Sequence, residues 1–311
     1  MGRNVAKAET AFPTLRIILA LPALMIAVSS AVGCGGDGGA STAPTGPPPD
    51  TSAAPTGEAS IAGSFDVGGH ELFLSCKGNG KPIVIYLHGY IQHSEGSRTN
   101  SGEIPDLLSD DVRVCIYDRA NVGESESVAG RQTGADSVRD LHALLEATDV
   151  PGPYVLLGAS FGGLISYMYA ATYPDEVVGM VLLDASLPDD IEIDERFSPK
   201  EELKAFCEEW KTTTERIDRC ATYREAQALA GKAPAMPVTY LAVKELDLPP
   251  SLPVKKMSAA IRRVQRDFVS RFSPGRLVFV DVAHYMEPVI PERIAQEVVR
   301  VVHASRETSQ D

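Results

Sequence analysis

The sequence has no excess of basic residues, and this absence excludes one large class of function. Its 311 residues contain 29 lysines and arginines against 42 aspartates and glutamates, so the formal net charge is −13. Because the chain also lacks a basic stripe and a nucleic-acid-binding motif, we do not expect nucleic acid as a partner. The acidity is expected to favour solubility.

The sequence also lacks a hydrophobic run as long as a membrane-spanning helix. The apolar stretch at residues 17–33 has 17 residues, whereas a span needs about 20. Basic residues at Arg3, Lys7 and Arg16 precede it, which is typical of an export signal. The stretch ends in small residues before Cys34, which resembles the bacterial lipoprotein processing site, although an alanine stands where leucine is usual.

We therefore predict that residues 1–33 are a signal peptide of the lipoprotein type and that Cys34 is lipidated. Residues 34–60, rich in Gly, Pro, Ser and Thr, predict a disordered tether. The expected location is the extracytoplasmic face of the cell membrane, with a lipid anchor at Cys34. Ordinary signal cleavage with secretion, and an uncleaved anchor, are the alternatives.

A Gly-x-Ser-x-Gly pattern at residues 158–162 is the strongest indication of function. It lies between an apolar run at 154–157 and a helix-like stretch at 164–171, and this order of strand, turn and helix is that of a nucleophile elbow. Alone, the pattern also fits a glycine-rich turn that packs a helix on a sheet. Ser160 is the candidate nucleophile.

Two further segments stand in the chain order that a serine hydrolase requires. Residues 82–87 predict a buried strand that ends just before Tyr90, whose backbone N–H would join that of Phe161 in stabilising an oxyanion. Residues 276–280 predict the last strand, and His284 follows it in a loop as the expected base.

These segments together resemble the α/β-hydrolase superfamily, in its branch of serine esterases, peroxidases and aminopeptidases. The resemblance covers most of residues 65–306. Besides the elbow and the His284 region, it is carried by residues 83–89, 115–125 and 179–184, the second of which contains Tyr-Asp-Arg-x-x-x-Gly-x-Ser. It implies an α/β fold with a mostly parallel eight-stranded sheet flanked by helices, and a small helical cap. It also implies that the Tyr-Asp-Arg segment buttresses the site.

The domain boundaries follow from where strands and helices cease to alternate. We predict an α/β-hydrolase domain at residues 61–306, a cap at about 187–236 and a C-terminal tail at 307–311. The acidic run at 189–195 contains no histidine. We therefore expect no metal there, and we expect no cofactor in the protein.

The acid that completes the triad has two candidates. Asp184 follows an apolar strand at 180–183, and haloalkane dehalogenases of the same superfamily carry their acid at this strand end. Asp247, or Glu245, follows the next strand, where the acid is more usual, but the expected glycine turn is missing. We favour Asp184 because a partly buried carboxylate requires a partner such as His284.

The chain has five cysteines, and four remain when Cys34 is set aside. The strands that carry Cys76 and Cys115 are neighbours in this fold, so a Cys76–Cys115 disulfide is reasonable. Cys207 and Cys220 both fall in the cap and could pair there. Four buried free thiols are the alternative.

The sequence thus predicts an extracytoplasmic serine hydrolase that cleaves small carboxylic esters through a Ser-His-Asp triad and an acyl-enzyme. Serine at the elbow argues against dehalogenase and epoxide-hydrolase chemistry, which use a carboxylate nucleophile. An aminopeptidase, a cofactor-free peroxidase and a non-catalytic envelope binding protein are the alternatives.

Overall fold

The computed structural model describes residues 60–91 and 96–308, and within them eight strands form one sheet. The strands are β1 (Ile61–Asp66), β2 (Glu71–Lys77), β3 (Ile83–Leu87), β4 (Val114–Tyr117), β5 (Tyr154–Ala159), β6 (Val177–Leu183), β7 (Val238–Val243) and β8 (Gly275–Val280). The helices in the same residues are α1 (Ser97–Ser101), α2 (Ile104–Leu108), α3 (Gly134–Ala147), α4 (Phe161–Thr172), α5 (Asp190–Phe197), α6 (Lys200–Glu208), α7 (Arg219–Ala228), α8 (Val254–Val269) and α9 (Pro291–Thr308). The predicted signal peptide, Cys34 and nearly all of the predicted tether lie outside the described residues.

The strand order in the sheet is β1-β2-β4-β3-β5-β6-β7-β8. The first two pairings, β1 with β2 and β2 with β4, are antiparallel, and all the others are parallel. The expected mostly parallel, eight-stranded α/β sheet is therefore confirmed.

Each face of the sheet carries its own apolar core, which explains why the central strands are continuous apolar runs rather than alternating ones. On one face, Ile85 of β3 packs in a cluster with residues of α3, α4 and α8, such as Leu164 and Phe268. On the other face, Tyr86 packs in a cluster with residues of α2 and α9, such as Val298. Helices on both faces fix the strands firmly.

The register of the parallel strands brings their carboxyl ends to one edge. The pairs that close the ladders at this edge are Leu87 with Gly158, Ala159 with Leu183, Leu183 with Leu241, and Val243 with Val280. Residues that directly follow these strands must therefore lie close together, at the edge where open α/β sheets bind ligands.

The chain leaves the sheet between β6 and β7. There it forms a helical insertion (residues 187–236), which contains α5, α6, a 3-10 turn at Glu209–Lys211 and α7. No helix in the described part of the chain combines the length and the apolar character needed to cross a membrane.

Two disulfides are present, and they join the cysteines paired in the sequence analysis. Cys76 and Cys115 link β2 to β4, where the two residues are direct register partners. Cys207 and Cys220 link α6 to α7 within the helical insertion. Such bonds are compatible with an exported protein, since they persist in oxidising compartments.

Candidate active site

Ser160 occupies a sharp turn between β5 and α4. Its φ of 49° and ψ of −119° lie in a region that residues other than glycine rarely adopt, and such strain is found at functional turns. Two backbone hydrogen bonds hold the turn: the Ser160 N–H donates to Leu183 O at 2.9 Å, and the Ser186 N–H donates to Ser160 O at 2.9 Å. The turn is therefore anchored to the end of β6.

Glycines allow the neighbouring backbone to approach the serine. A Cβ atom at Gly162 would lie 2.1 Å from Leu87 O and 2.5 Å from His88 O, so a side chain there would collide with the end of β3. A Cβ atom at Gly89 would lie 3.3 Å from the Cβ of Ser160. The loop after β3 thus passes directly beside the candidate nucleophile.

His284 lies between Ser160 and Asp184. Its Nε2 is 3.0 Å from Ser160 Oγ, and its Nδ1 is 2.7 Å from Asp184 Oδ2. A carboxylate at Nδ1 favours the tautomer with the proton on Nδ1, which leaves the Nε2 lone pair directed at the serine hydroxyl. The Asp184 side chain is 7% exposed and that of His284 is 40% exposed, so the imidazole is open to solvent while its partner acid is buried.

The two candidate acids lie in different surroundings. Asp184 directly follows β6 with a φ of 38°, and its N–H donates to Leu241 O at 2.7 Å, which directs the chain out of the sheet beside His284. Asp247 and Glu245 lie in the loop after β7, and both are exposed. The structure therefore brings Asp184, and not Asp247, to His284.

The backbone groups expected to bind an oxyanion lie on either side of Ser160. Phe161 is the first residue of α4, where a backbone N–H has no acceptor within its own helix. Tyr90 follows Gly89, and its ring contacts that of Phe161 edge to face at a centroid distance of 6.1 Å. Both residues are buried.

His88 is buried beneath this loop. Burial, together with the neighbouring Arg119, lowers the pKa of the His88 imidazole well below its usual range, so the ring is neutral. Its Nδ1 lies 2.8 Å from Gly89 O. This environment fits a structural role for His88 beneath the loop.

Sequence reasoning missed two buried polar contacts near the site. The first joins Arg119 of the Tyr-Asp-Arg segment to Glu215 of the helical insertion, with Nε and Oε1 2.5 Å apart. In the second, the Tyr86 hydroxyl donates a hydrogen bond to Glu287 Oε1 at 3.0 Å. Burial raises the pKa of the Glu287 carboxyl. Neither glutamate lies in a motif, so no sequence signal could have identified them.

Metal-ligating side chains do not cluster in the described residues: no group of three or more His, Cys, Asp or Glu side chains there could hold a metal ion.

A family model described as "alpha/beta hydrolase fold" matches residues 82–216. Among curated proteins, the chain is 32% identical to the uncharacterized protein YqjL of Bacillus subtilis over 113 residues, which is 36% of this chain and 43% of that protein. It is 33% identical to a proline iminopeptidase of Neisseria gonorrhoeae over 116 residues, which is 36% of each chain. The chain thus spans less than half the length of these relatives.

Solved structures share the fold over most of the chain. An esterase from Thermogutta terrifontis superposes with a TM-score of 0.52 at 19% identity and covers 80% of this chain and 99% of its own. A haloalkane dehalogenase from Bradyrhizobium elkani superposes with a TM-score of 0.57 at 15% identity and covers 80% of this chain and 100% of its own. These likenesses confirm the α/β-hydrolase fold that the sequence predicts, and the family model describes the same fold for residues 82–216.

Proposed function

We propose that this chain, which has the α/β-hydrolase fold, is a serine hydrolase that cleaves carboxylic esters through Ser160, His284 and Asp184. The observation that carries the proposal is the continuous line of contacts from Asp184 Oδ2 through both nitrogens of His284 to Ser160 Oγ, at 2.7 and 3.0 Å. Nucleophile and base within this reach, with the base oriented by a third group, define an activated serine.

The acylation step follows from the geometry. Ser160 Oγ bonds to the acyl carbon while His284 Nε2 takes the hydroxyl proton, and the carbonyl π electrons move to the oxygen. The N–H groups of Tyr90 and Phe161 stabilise that oxyanion. As the tetrahedral intermediate collapses, the alcohol leaves with the proton from His284, and Asp184 stabilises the transient imidazolium.

Deacylation requires water at the same base. The His284 side chain is 40% exposed, so the imidazole borders the solvent that must supply this water. Water loses a proton to Nε2 as its oxygen attacks the acyl carbon. When this second tetrahedral intermediate collapses, the bond between the acyl carbon and Ser160 Oγ breaks, and Nε2 returns the proton to Oγ. The carboxylic acid is released and the enzyme returns to its starting state.

An aminopeptidase is the second candidate, because the chain is 33% identical to a proline iminopeptidase over 116 residues. Binding a substrate amine requires an available carboxylate. Buried acids of the helical insertion already accept hydrogen bonds within the protein: Asp190 from the Leu187 N–H, Glu215 from Arg119 and Asp218 from the Ala221 N–H. An aminoacyl substrate would therefore need a carboxylate other than these three for its amine.

The test compares two substrate series on the purified protein. Hydrolysis of p-nitrophenyl esters of graded chain length is expected, with loss of activity in Ser160→Ala. Turnover of aminoacyl-naphthylamides alone would support the aminopeptidase instead. If the folded protein hydrolyses neither series, the proposal fails in favour of a binding protein.

We also propose that the enzyme acts outside the cytoplasm and is anchored by lipid at Cys34. The two disulfides support export. In cells that process lipoproteins, the full chain is expected to partition into the detergent phase, and Cys34→Ala is expected to move it to the aqueous phase. Equal partitioning of the two proteins would contradict the anchor.

A further inference from the structure

Arg119 holds the loop that carries the Tyr90 oxyanion donor. Its guanidinium is 2% exposed, and it donates from Nη1 to His88 O at 2.8 Å and from Nη2 to Gly89 O at 2.7 Å. The same guanidinium lies 5.8 Å from the centre of the Phe161 ring. The Arg119 side chain therefore binds the carbonyls of the two residues before Tyr90 and also lies near the ring of Phe161. Tyr90 and Phe161 are the two proposed oxyanion donors.

Glu215 orients this arginine and also holds the far side of the loop. Its carboxylate is 1% exposed; Oε1 accepts from Arg119 Nε at 2.5 Å, and Oε2 accepts from the Ile91 N–H at 2.8 Å. Tyr90 lies between the carbonyls that Arg119 binds and the amide that Glu215 binds. The Tyr90 backbone is thus fixed on both sides by one buried ion pair.

Other residues of the helical insertion hold the Tyr90 side chain. The Tyr90 hydroxyl donates to Thr213 Oγ1 at 2.7 Å, and the Arg219 guanidinium stacks 4.4 Å from the centre of the Tyr90 ring. Three residues of the short segment 213–219 therefore fix the conformation of the oxyanion loop.

A contribution to stability is a weak explanation for the buried ion pair between Arg119 and Glu215. Desolvation of two buried charges offsets much of their attraction, and apolar replacements of buried ion pairs are often as stable. Placement is a better explanation, because an oxyanion donor must lie about 2.7–3.1 Å from the developing charge. An error of about 1 Å can lower the rate on the order of 100-fold.

We propose that Glu215, acting through Arg119 and Ile91, is a positioning residue for the Tyr90 oxyanion donor, so that the helical insertion sets the geometry of the oxyanion hole. This inference rests on the proposed serine-hydrolase function. It assigns to the insertion a role in the chemical step, separate from any contact with substrate.

Glu215→Gln is the decisive variant. Both carboxylate oxygens accept hydrogen bonds, so an amide of the same shape must turn its NH₂ group toward one of the two donors. We expect kcat for a p-nitrophenyl ester to fall roughly 10- to 100-fold, with KM changed less than about threefold because the substrate ground state makes few demands on the oxyanion donor.

The affinity for a transition-state analogue distinguishes positioning of the oxyanion donor from a purely structural role of Glu215. A trifluoromethyl ketone forms a hemiketal with Ser160 and places an oxyanion in the hole. Its Ki is expected to rise by the same factor as kcat/KM falls. The matched control is Glu297→Gln on α9, since that carboxylate is also 1% exposed and paired with arginines, among them Arg276; it is expected to leave kcat and Ki unchanged.

The outcomes separate the inference from the function on which it rests. If Glu215→Gln keeps kcat and Ki within twofold of the wild type while its thermal midpoint falls as in Glu297→Gln, the positioning role is wrong and the serine hydrolase stands. If the wild type is inactive and Ser160 is unreactive toward the ketone, both proposals fail.

Thr213→Val serves if Glu215→Gln does not fold. Thr213 is only partly buried, and valine has the same shape without the acceptor for the Tyr90 hydroxyl. A several-fold loss of kcat with an unchanged thermal midpoint is expected. An unchanged kcat would contradict the claim that the helical insertion sets the geometry of the oxyanion hole through Tyr90.

Discussion

Asp184 and His284 lie 100 residues apart in the sequence, yet a hydrogen bond of 2.7 Å joins Asp184 Oδ2 to His284 Nδ1. The bond connects the end of β6 to the loop after β8, across β7. The carboxylate is buried and the imidazole is partly exposed, so the aspartate can hold the ring in one orientation while Nε2 faces the Ser160 hydroxyl.

Asp184→Asn is expected to lower kcat on the order of 10³-fold or more. The amide can no longer favour the Nδ1–H tautomer or stabilise the imidazolium. Steady-state kinetics on a p-nitrophenyl ester measures the effect. Asp247→Asn, at the exposed rival position, is the control and should retain near-normal turnover. Equal activity of the two variants would show that Asp184 is not the acid of the triad.

Gly162→Ala is expected to destabilise the fold by about 1–3 kcal/mol and to lower activity, because overpacking forces the backbone to shift. Its Cβ atom would lie 2.1 Å from Leu87 O, and the turn at Ser160 would have to move. Gly152→Ala is the control, since its nearest contact is at an ordinary 3.4 Å. Urea unfolding compares the two. If they are equally stable, the close contact at Gly162 does not govern the turn.

Removal of Cys207–Cys220 is expected to lower kcat several-fold. This disulfide spans 13 residues and encloses Thr213, Glu215 and Arg219, all of which contact the oxyanion loop or its arginine. Loss of a cross-link of this size costs about 3 kcal/mol of stability in the chain-entropy model. The double alanine variant is assayed for kcat and for unfolding.

The matched control for this experiment is the double alanine variant of Cys76 and Cys115. That bond joins β2 to β4, away from the insertion. It is expected to lose stability to a similar degree while kcat changes less than twofold. If both double variants lose stability and neither loses turnover, the enclosed segment has no effect on the chemical step.

Glu287→Gln is expected to change how stability depends on pH. Burial raises the pKa of the native carboxyl, whereas an unfolded glutamate titrates near about 4.3. Above that pH the unfolded chain binds fewer protons at this site than the native one, so the free energy of unfolding falls as pH rises through the native pKa. Glutamine keeps an acceptor for the Tyr86 hydroxyl and removes this loss.

Urea unfolding between pH 4 and 8 gives the measurement. Stability of Glu287→Gln relative to the wild type should increase with pH and then level off. Glu245→Gln, at an exposed position, is the control. A difference between Glu287→Gln and the wild type that is constant over the whole range would contradict the raised native pKa.

Much of the fold could be predicted because local patterns and chain order agree. Strands are indicated by the apolar runs at β3, β5 and β6. A sharp turn is indicated by the glycines around Ser160. Helix α8 was not among the predicted elements, although Met257, Ile261 and Phe268 lie on its buried face at helical spacing. The irregular stretch at residues 244–253 precedes it and contains no capping side chain that marks where the helix begins.

The site could be predicted only where a residue follows a strand or lies in a motif. Ser160 and His284 meet this condition. Asp184 and Asp247 both come after an apolar strand, so the local pattern does not show which of the two aspartates reaches His284. The separation comes from the sheet, where Leu183 pairs with Leu241 and the chain turns at Asp184. Glu215 could not be found, because its role depends entirely on tertiary contacts.

The most direct test of the account is reaction of the folded wild-type protein with a fluorophosphonate, followed by intact-mass measurement and peptide mapping. Ser160 Oγ bonds to phosphorus and fluoride leaves, so we expect one adduct per chain, on the peptide that contains Ser160. The adduct should be absent in Ser160→Ala and should form much more slowly in Asp184→Asn. A folded wild type that gains no adduct, or gains it at another residue, would contradict the assignment of Ser160 as the nucleophile.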